Sequence, residues 1–164
     1  MKEFTLSCTF SSFESADELP KADLELLNEA TEAALKAYAP YSKFRVGAAL
    51  RLENGKIIRG NNQENVAYPS GLCAERVALF YASATYPNEK VESIAVTANT
   101  DEFIIEDPVS PCGSCRQVMA ETEKKQNNSI RVIMKGENGK VYVTQNVKSL
   151  LPLMFKAEQL KKQP

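Results

Sequence analysis

The 164 residues are 43% apolar and 25% charged, with 20 basic side chains against 21 acidic ones and a net charge of −1. That balance suits a globular chain with one adequate core, and it lacks the basic footprint that a polynucleotide partner leaves. No apolar run reaches the ~20 residues that span a bilayer, and Met1-Lys2-Glu3-Phe4-Thr5 has no apolar core behind it, so the chain reads as cytoplasmic and without a signal peptide.

The opening stretch through Ser15 alternates weakly, as an edge strand or an N-terminal arm would. Residues 22–39 carry Leu24, Leu27, Ala30, Ala34, Leu35 and Tyr38 at helical spacing, and Pro40 is expected to end the helix. Residues 46–52 and 56–60 are β-rich and joined through Glu53-Asn54-Gly55-Lys56. Asn-Gly predicts a tight hairpin in which both central residues take positive φ. The same four residues recur as Glu137-Asn138-Gly139-Lys140, between 131–135 and 141–144, and predict a second hairpin. Between the hairpins the pattern predicts a helix from Cys73 to about Ala84, a strand over 91–98, and a helix from Cys112 to about Lys125. Residues 149–162 read as a C-terminal helical tail, interrupted near Pro152.

Hairpins mixed with strand–helix crossovers predict a three-layer α/β/α fold: a mixed sheet of about five strands with helices on both faces. No repeat or low-complexity linker divides the chain. It reads as a single domain over 1–164, with 1–20 an N-terminal arm and 146–164 a C-terminal tail.

The chemistry concentrates in two segments, Cys73-Ala74-Glu75-Arg76 and Pro111-Cys112-Gly113-Ser114-Cys115-Arg116-Gln117. There is no histidine, so a metal site must be built from sulfur and oxygen. In a reducing compartment, clustered cysteines favour metal or redox chemistry over disulfides. Three protein ligands with an open fourth position are the arrangement of a catalytic zinc, and Glu75, two residues from one ligand, is placed to work on a water there. Both segments fall where loops enter helices, and the partial positive charge of a helix N-terminus favours thiolates. Arg76 sits in a first helical turn against the dipole, which calls for a negative partner. With Arg116 it would offset the net −1 of three thiolates on zinc.

Two other readings of these cysteines stand beside the catalytic one. Cys112-x-x-Cys115 fits a redox dithiol, although such motifs usually follow an early strand and an aromatic residue, and here Ser110-Pro111 precede it late in the chain. Cys8 as a fourth ligand would close the site into a structural zinc, although closed sites commonly pair two Cys-x-x-Cys motifs and Cys8 and Cys73 stand singly. Cys8 otherwise packs as a small apolar side chain. Phe44, just before a strand, fits a core position as well as a binding one. Asn62 and Glu64 either share one side of an extended segment or decorate a turn, and Tyr68 fits an ordinary surface.

Cys-Ala-Glu-Arg followed by Pro-Cys-Gly-x-Cys-Arg-Gln resembles the cytidine deaminases, and more narrowly their small homotetrameric class with a three-cysteine zinc site. The likeness runs from about Ala37 to Phe155. It takes in Tyr41-Ser42-Lys43-Phe44-Arg45-Val46-Gly47-Ala48-Ala49-Leu50 and Asn62-Gln63-Glu64-Asn65-Val66-Ala67-Tyr68-Pro69. The resemblance implies one Zn²⁺ per subunit on Cys73, Cys112 and Cys115, with Glu75 as the catalytic proton shuttle. It implies that Asn62 and Glu64 bind the ribose hydroxyls, that Phe44 lines the base pocket, and that the backbone around Ala74, with Ser110, accepts from the amino group. Tyr68 falls in a segment that reaches across a subunit boundary, and Phe155 matches a phenylalanine supplied by a neighbouring subunit.

The implied reaction is hydrolytic deamination of cytidine and 2′-deoxycytidine to uridine and 2′-deoxyuridine with release of ammonia, a step of pyrimidine salvage. The implied partner is a small nucleoside, with no nucleic acid and no membrane, in a homotetramer with active sites at subunit interfaces. Three positions depart from the pattern. Leu153 stands where glycine is common after the proline of Leu151-Pro152, Gln63 replaces an apolar residue, and the N-terminal extension is longer than the family needs. Deamination of another amino-pyrimidine nucleoside such as blasticidin S is the nearest rival, and a non-catalytic zinc-stabilised binding protein the rival from a different class.

Overall fold

The computed structural model describes residues 1–156. Its elements in chain order are β1 (Ser11–Phe13), α1 (Lys21–Ala34), β2 (Arg45–Leu52), β3 (Ile57–Asn61), α2 (Ala74–Thr85), β4 (Val91–Asn99), α3 (Gly113–Gln126), β5 (Arg131–Lys135) and β6 (Val141–Thr144). They form one sheet in the order β1-β6-β5-β4-β2-β3. Only β4 and β5 pair in parallel, with α3 as their crossover; the other pairs are antiparallel.

Alternating side chains of the central strands build two cores. On one face Ala48, Leu50, Ile94, Val96, Val132 and Met134 pack with Ala78, Leu79 and Ala82 of α2 and Met119 and Ala120 of α3. On the other, Ala49, Ala95, Ile133 and Val143 pack with Leu26, Leu27 and Ala30 of α1. The expected three-layer α/β/α arrangement is therefore what forms.

Four details differ from the sequence reading. The sheet has six strands rather than about five, because Ser11–Phe13 of the N-terminal arm pairs antiparallel with β6 and covers its outer edge. Helix α1 stops at Ala34 and not at Ala39. Tyr38 is drawn onto the segment after β3, its N–H donating to the Asn62 carbonyl at 3.1 Å and its carbonyl accepting from the Glu64 N–H at 2.8 Å. In the hairpins only the glycines, Gly55 (φ 82°) and Gly139 (φ 78°), take positive φ, and the asparagines do not. Asn54 instead accepts the Lys56 N–H through Oδ1 at 3.0 Å, and Gly55 alone supplies the left-handed step.

The expected C-terminal helix is absent over residues 150–156. A short 3-10 turn, Val147–Ser149, is capped by the Asn146 side chain, and Pro152 removes a donor that a helix would need. The rest of the expected tail, 157–164, lies outside the described residues. No helix among the described residues is long and apolar enough to cross a membrane.

Candidate active site

The site begins with two helix starts. Cys73 is the N-cap of α2 and Cys112 the N-cap of α3, both in extended backbone and neither capping through its side chain. Cys115 lies one turn further along α3 and is buried. What brings α2 close is Gly60 on β3: a Cβ there would sit 2.5 Å from the Ala74 carbonyl oxygen and 2.7 Å from the Ala78 nitrogen. Only a residue without a side chain lets the first turn of α2 lie directly on the strand.

The sulfurs converge. Cys73 Sγ lies 3.8 Å from Cys112 Sγ, and Cys112 Sγ 3.5 Å from Cys115 Sγ. All three fall within 4.8 Å of one another. Zinc–sulfur bonds of ~2.3 Å in a tetrahedron set sulfurs about 3.8 Å apart, so this donor set fits zinc in spacing as well as in chemistry. The Arg76 guanidinium donates to Cys73 Sγ through Nη2 at 3.6 Å. The neighbouring Cys115 thiol, followed by Arg76, brings the Cys73 thiol down to about 5. Cys115 moves the other way: the neighbouring Cys73 thiol, its own burial and the charge of Glu75 all push its thiol up. Of the two, Cys73, against Arg76, is the thiol that more readily ionises.

Glu75 is 3% exposed, and burial, reinforced by the Cys73 thiolate, pushes its carboxyl above the ordinary range. It still reaches the wall of a cavity of about 980 Å³. Cys73, Glu75, Arg76 and Cys112 line that cavity together with Phe44, Asn62, Glu64, Tyr68 and Ser110. Most of the residues singled out from sequence therefore meet in one place. Ala74 is buried at the first position of α2 and is not part of the lining.

Two others lie aside. Arg116 donates through Nε to the Pro111 carbonyl at 2.7 Å and through Nη1 to the Leu150 carbonyl at 3.0 Å, tying the α3 entry loop to the C-terminal segment. Phe155 is 70% exposed and does not line the cavity; its backbone N–H and carbonyl are both held by the Gln117 amide, at 3.3 and 3.2 Å.

Asn62 and Glu64 are engaged with the loop before β2. Asn62 accepts the Val46 N–H through Oδ1 at 2.8 Å and donates through Nδ2 to the Phe44 carbonyl at 3.0 Å. Glu64 Oε2 accepts the N–H groups of Tyr41 and Ser42 at 2.9 and 3.3 Å, and the Ser42 hydroxyl donates to Oε1. That hydroxyl, then the two backbone donors, hold the Glu64 carboxyl below its ordinary range. The sequence reading missed Ser42 and Gln117 as partners of site residues; pairings across this much chain leave no local pattern.

Three converging sulfurs able to hold a metal ion, with a buried carboxyl beside them, are equipment for adding water to a bound molecule, and they place the protein among zinc-dependent hydrolases. Residues 20–131 match the family described as the cytidine and deoxycytidylate deaminase zinc-binding region, and the chain belongs to that family. The cytidine deaminase of Halalkalibacterium halodurans is 42% identical over 135 residues, 82% of this chain and 95% of that protein. The cytidine deaminase of Sporosarcina psychrophila is 43% identical over 136 residues, 83% of this chain and 93% of that one. The crystal structure of cytidine deaminase from Burkholderia pseudomallei matches with a TM-score of 0.68 and 41% identity, covering 80% of this chain and 97% of that chain.

Proposed function

We propose that the protein deaminates cytidine and 2′-deoxycytidine hydrolytically, giving uridine or 2′-deoxyuridine and ammonia, as a step of pyrimidine salvage. The observation that carries the reading is that Cys73, Cys112 and Glu75 share one cavity with Phe44, Asn62 and Glu64. Cys73, Cys112 and Cys115 hold zinc, one ion per chain. When bound, the metal supplies the Lewis acidity that makes water nucleophilic near neutral pH.

The rest is done by the chain. Glu75 moves protons: it takes one from the attacking water and gives it to N3 of the pyrimidine ring as the water adds at C4, then takes the remaining proton of that oxygen and gives it to the amine as the C4–N bond breaks. Burial raises the Glu75 pKa above the ordinary carboxylate range, which favours its taking up a proton and giving it back. Asn62 and Glu64 orient the sugar through its hydroxyls, and Phe44 packs on the base. Ser110, on the cavity wall, receives the exocyclic amino group. Arg76 holds Cys73 as thiolate and offsets the excess negative charge of the sulfur cluster.

The working form is a homotetramer in the cytoplasm, where thiols stay reduced. Its support is the exposed apolar surface at Val66, Tyr68, Leu153 and Phe155, with Tyr68 on the cavity rim and Phe155 available to a neighbour's cavity.

The test is ultraviolet-monitored turnover of cytidine by zinc-loaded protein, beside Glu75→Gln at equal zinc content. The parent turns over, and the variant loses at least ~10²-fold in kcat because one group serves several proton transfers. A zinc-loaded parent that leaves cytidine untouched, or a variant near the parent's rate, sinks the reading.

A further inference from the structure

Ser42 stands between two groups that the proposed reaction uses. Its hydroxyl donates to Glu64 Oε1 and accepts the Phe44 N–H at 3.1 Å. Its own N–H, with that of Tyr41, is bonded to Glu64 Oε2. The loop so gathered includes Lys43, a non-glycine residue in the left-handed region at φ 57°, a conformation that needs its surroundings to hold it. Asn62 secures the far side through Phe44 and Val46.

Counting acceptor positions shows what this does to Glu64. A carboxylate oxygen offers two lone-pair sites. Oε2 spends both on backbone N–H groups, and Oε1 spends one on the Ser42 hydroxyl. One acceptor position is left on Oε1, and Ser42 fixes its direction. Glu64 is held ionised in that pose. A ligand group that fits the remaining position is a hydrogen-bond donor, such as a sugar hydroxyl.

We propose that Ser42 is a positioning residue for sugar recognition: its hydroxyl, seated between Glu64 and the Phe44 amide, aims the last free acceptor of Glu64 at a ribose hydroxyl. The inference rests on the assignment of Glu64 to the sugar made above. Ser42 is itself exposed, so a methyl added at its Cβ has room.

The experiment compares cytidine with 2′,3′-dideoxycytidine, which has the same base and lacks both ring hydroxyls, on the zinc-loaded parent, Ser42→Ala, Ser42→Thr and Glu64→Gln. The selectivity ratio, kcat/KM for cytidine over kcat/KM for the dideoxy substrate, is the readout. In Ser42→Ala it falls about tenfold, as expected for loss of one hydrogen bond to a charged group, and the loss appears in KM for cytidine with kcat nearly constant. Ser42→Thr restores it. Equal losses on both substrates in Ser42→Ala mean a general loop defect and overturn the proposal. So does an unchanged ratio in Ser42→Ala while Glu64→Gln lowers it. If Glu64→Gln treats both substrates alike, the sugar assignment of Glu64 falls, and the inference falls with it.

Discussion

Cys73 and Cys112 begin different helices, separated along the chain by β4 and a long loop, yet their sulfurs lie 3.8 Å apart. Two N-termini facing one point concentrate positive potential there, which offsets the cost of gathering thiolates. The site is open to a ligand because Cys8, the remaining cysteine, is exposed in the N-terminal arm and takes no part in the cluster.

Metal content should divide the cysteines three to one. Serine at Cys73, Cys112 or Cys115 leaves an incomplete donor set, and each such variant should purify with well under one zinc per chain. Cys8→Ser should carry the same zinc as the parent and the same turnover of cytidine. Atomic emission on purified protein decides it, and zinc loss in Cys8→Ser would restore the closed four-cysteine reading.

Gly60→Ala should damage the site from behind. The new Cβ meets backbone atoms of α2 at 2.5 and 2.7 Å, so the helix that carries Cys73 and Glu75 must move away from β3. Overpacking of this kind costs about 1–3 kcal/mol. A catalytic group displaced by ~1 Å loses roughly 10²-fold in rate. Thermal melts with turnover measured on the same sample check both. A variant with the parent's melting temperature and rate would show that α2 does not depend on this close approach.

Sequence reached the three cysteines that converge because they fall in two short segments, both at helix starts, in a chain without histidine. The central strands were legible because apolar residues fill them on both faces. The sixth strand was not, since Ser11-Ser12-Phe13 carries no alternation of its own and is extended because β6 offers it an edge. The early end of α1 was hidden for a similar reason: Leu35 and Tyr38 continue the helical spacing, but Tyr38 gains its backbone partners from Asn62 and Glu64. The bond from Ser42 to Glu64 depends on that same arrangement.

Zinc affinity should rise with pH. In the metal-free site Cys115 keeps its proton, because Cys73, burial and Glu75 push its thiol up. Zinc takes Cys115 as thiolate, so binding releases that proton, and the association constant gains about tenfold per pH unit for each proton released. Cys73, at about 5, is already ionised above pH 6 and adds nothing to the slope there. Chelator competition at pH 6, 7 and 8 measures it. An affinity that is flat across this window would mean that Cys115 is already a thiolate without metal or is not a ligand.

Glu75 should also mark the stability of the metal-free protein. Its folded pKa is raised, first by burial, above the unfolded value near the ordinary 4.5. Between the two values the native state binds more protons than the unfolded one, so stability falls as pH rises through that window and stays lower above it. Glu75→Gln removes the titrating group while keeping a side chain of the same shape. The metal-free variant should therefore melt higher than the metal-free parent at pH 7–8, with the gap narrowing as pH approaches 4. Taking the difference between two otherwise identical chains cancels, to first order, the titration of groups elsewhere. Paired melts of chelator-treated proteins at each pH give the answer. A gap that widens toward acid would mean that the folded carboxyl is held ionised, which would leave Glu75 poorly suited to carrying a proton near neutrality.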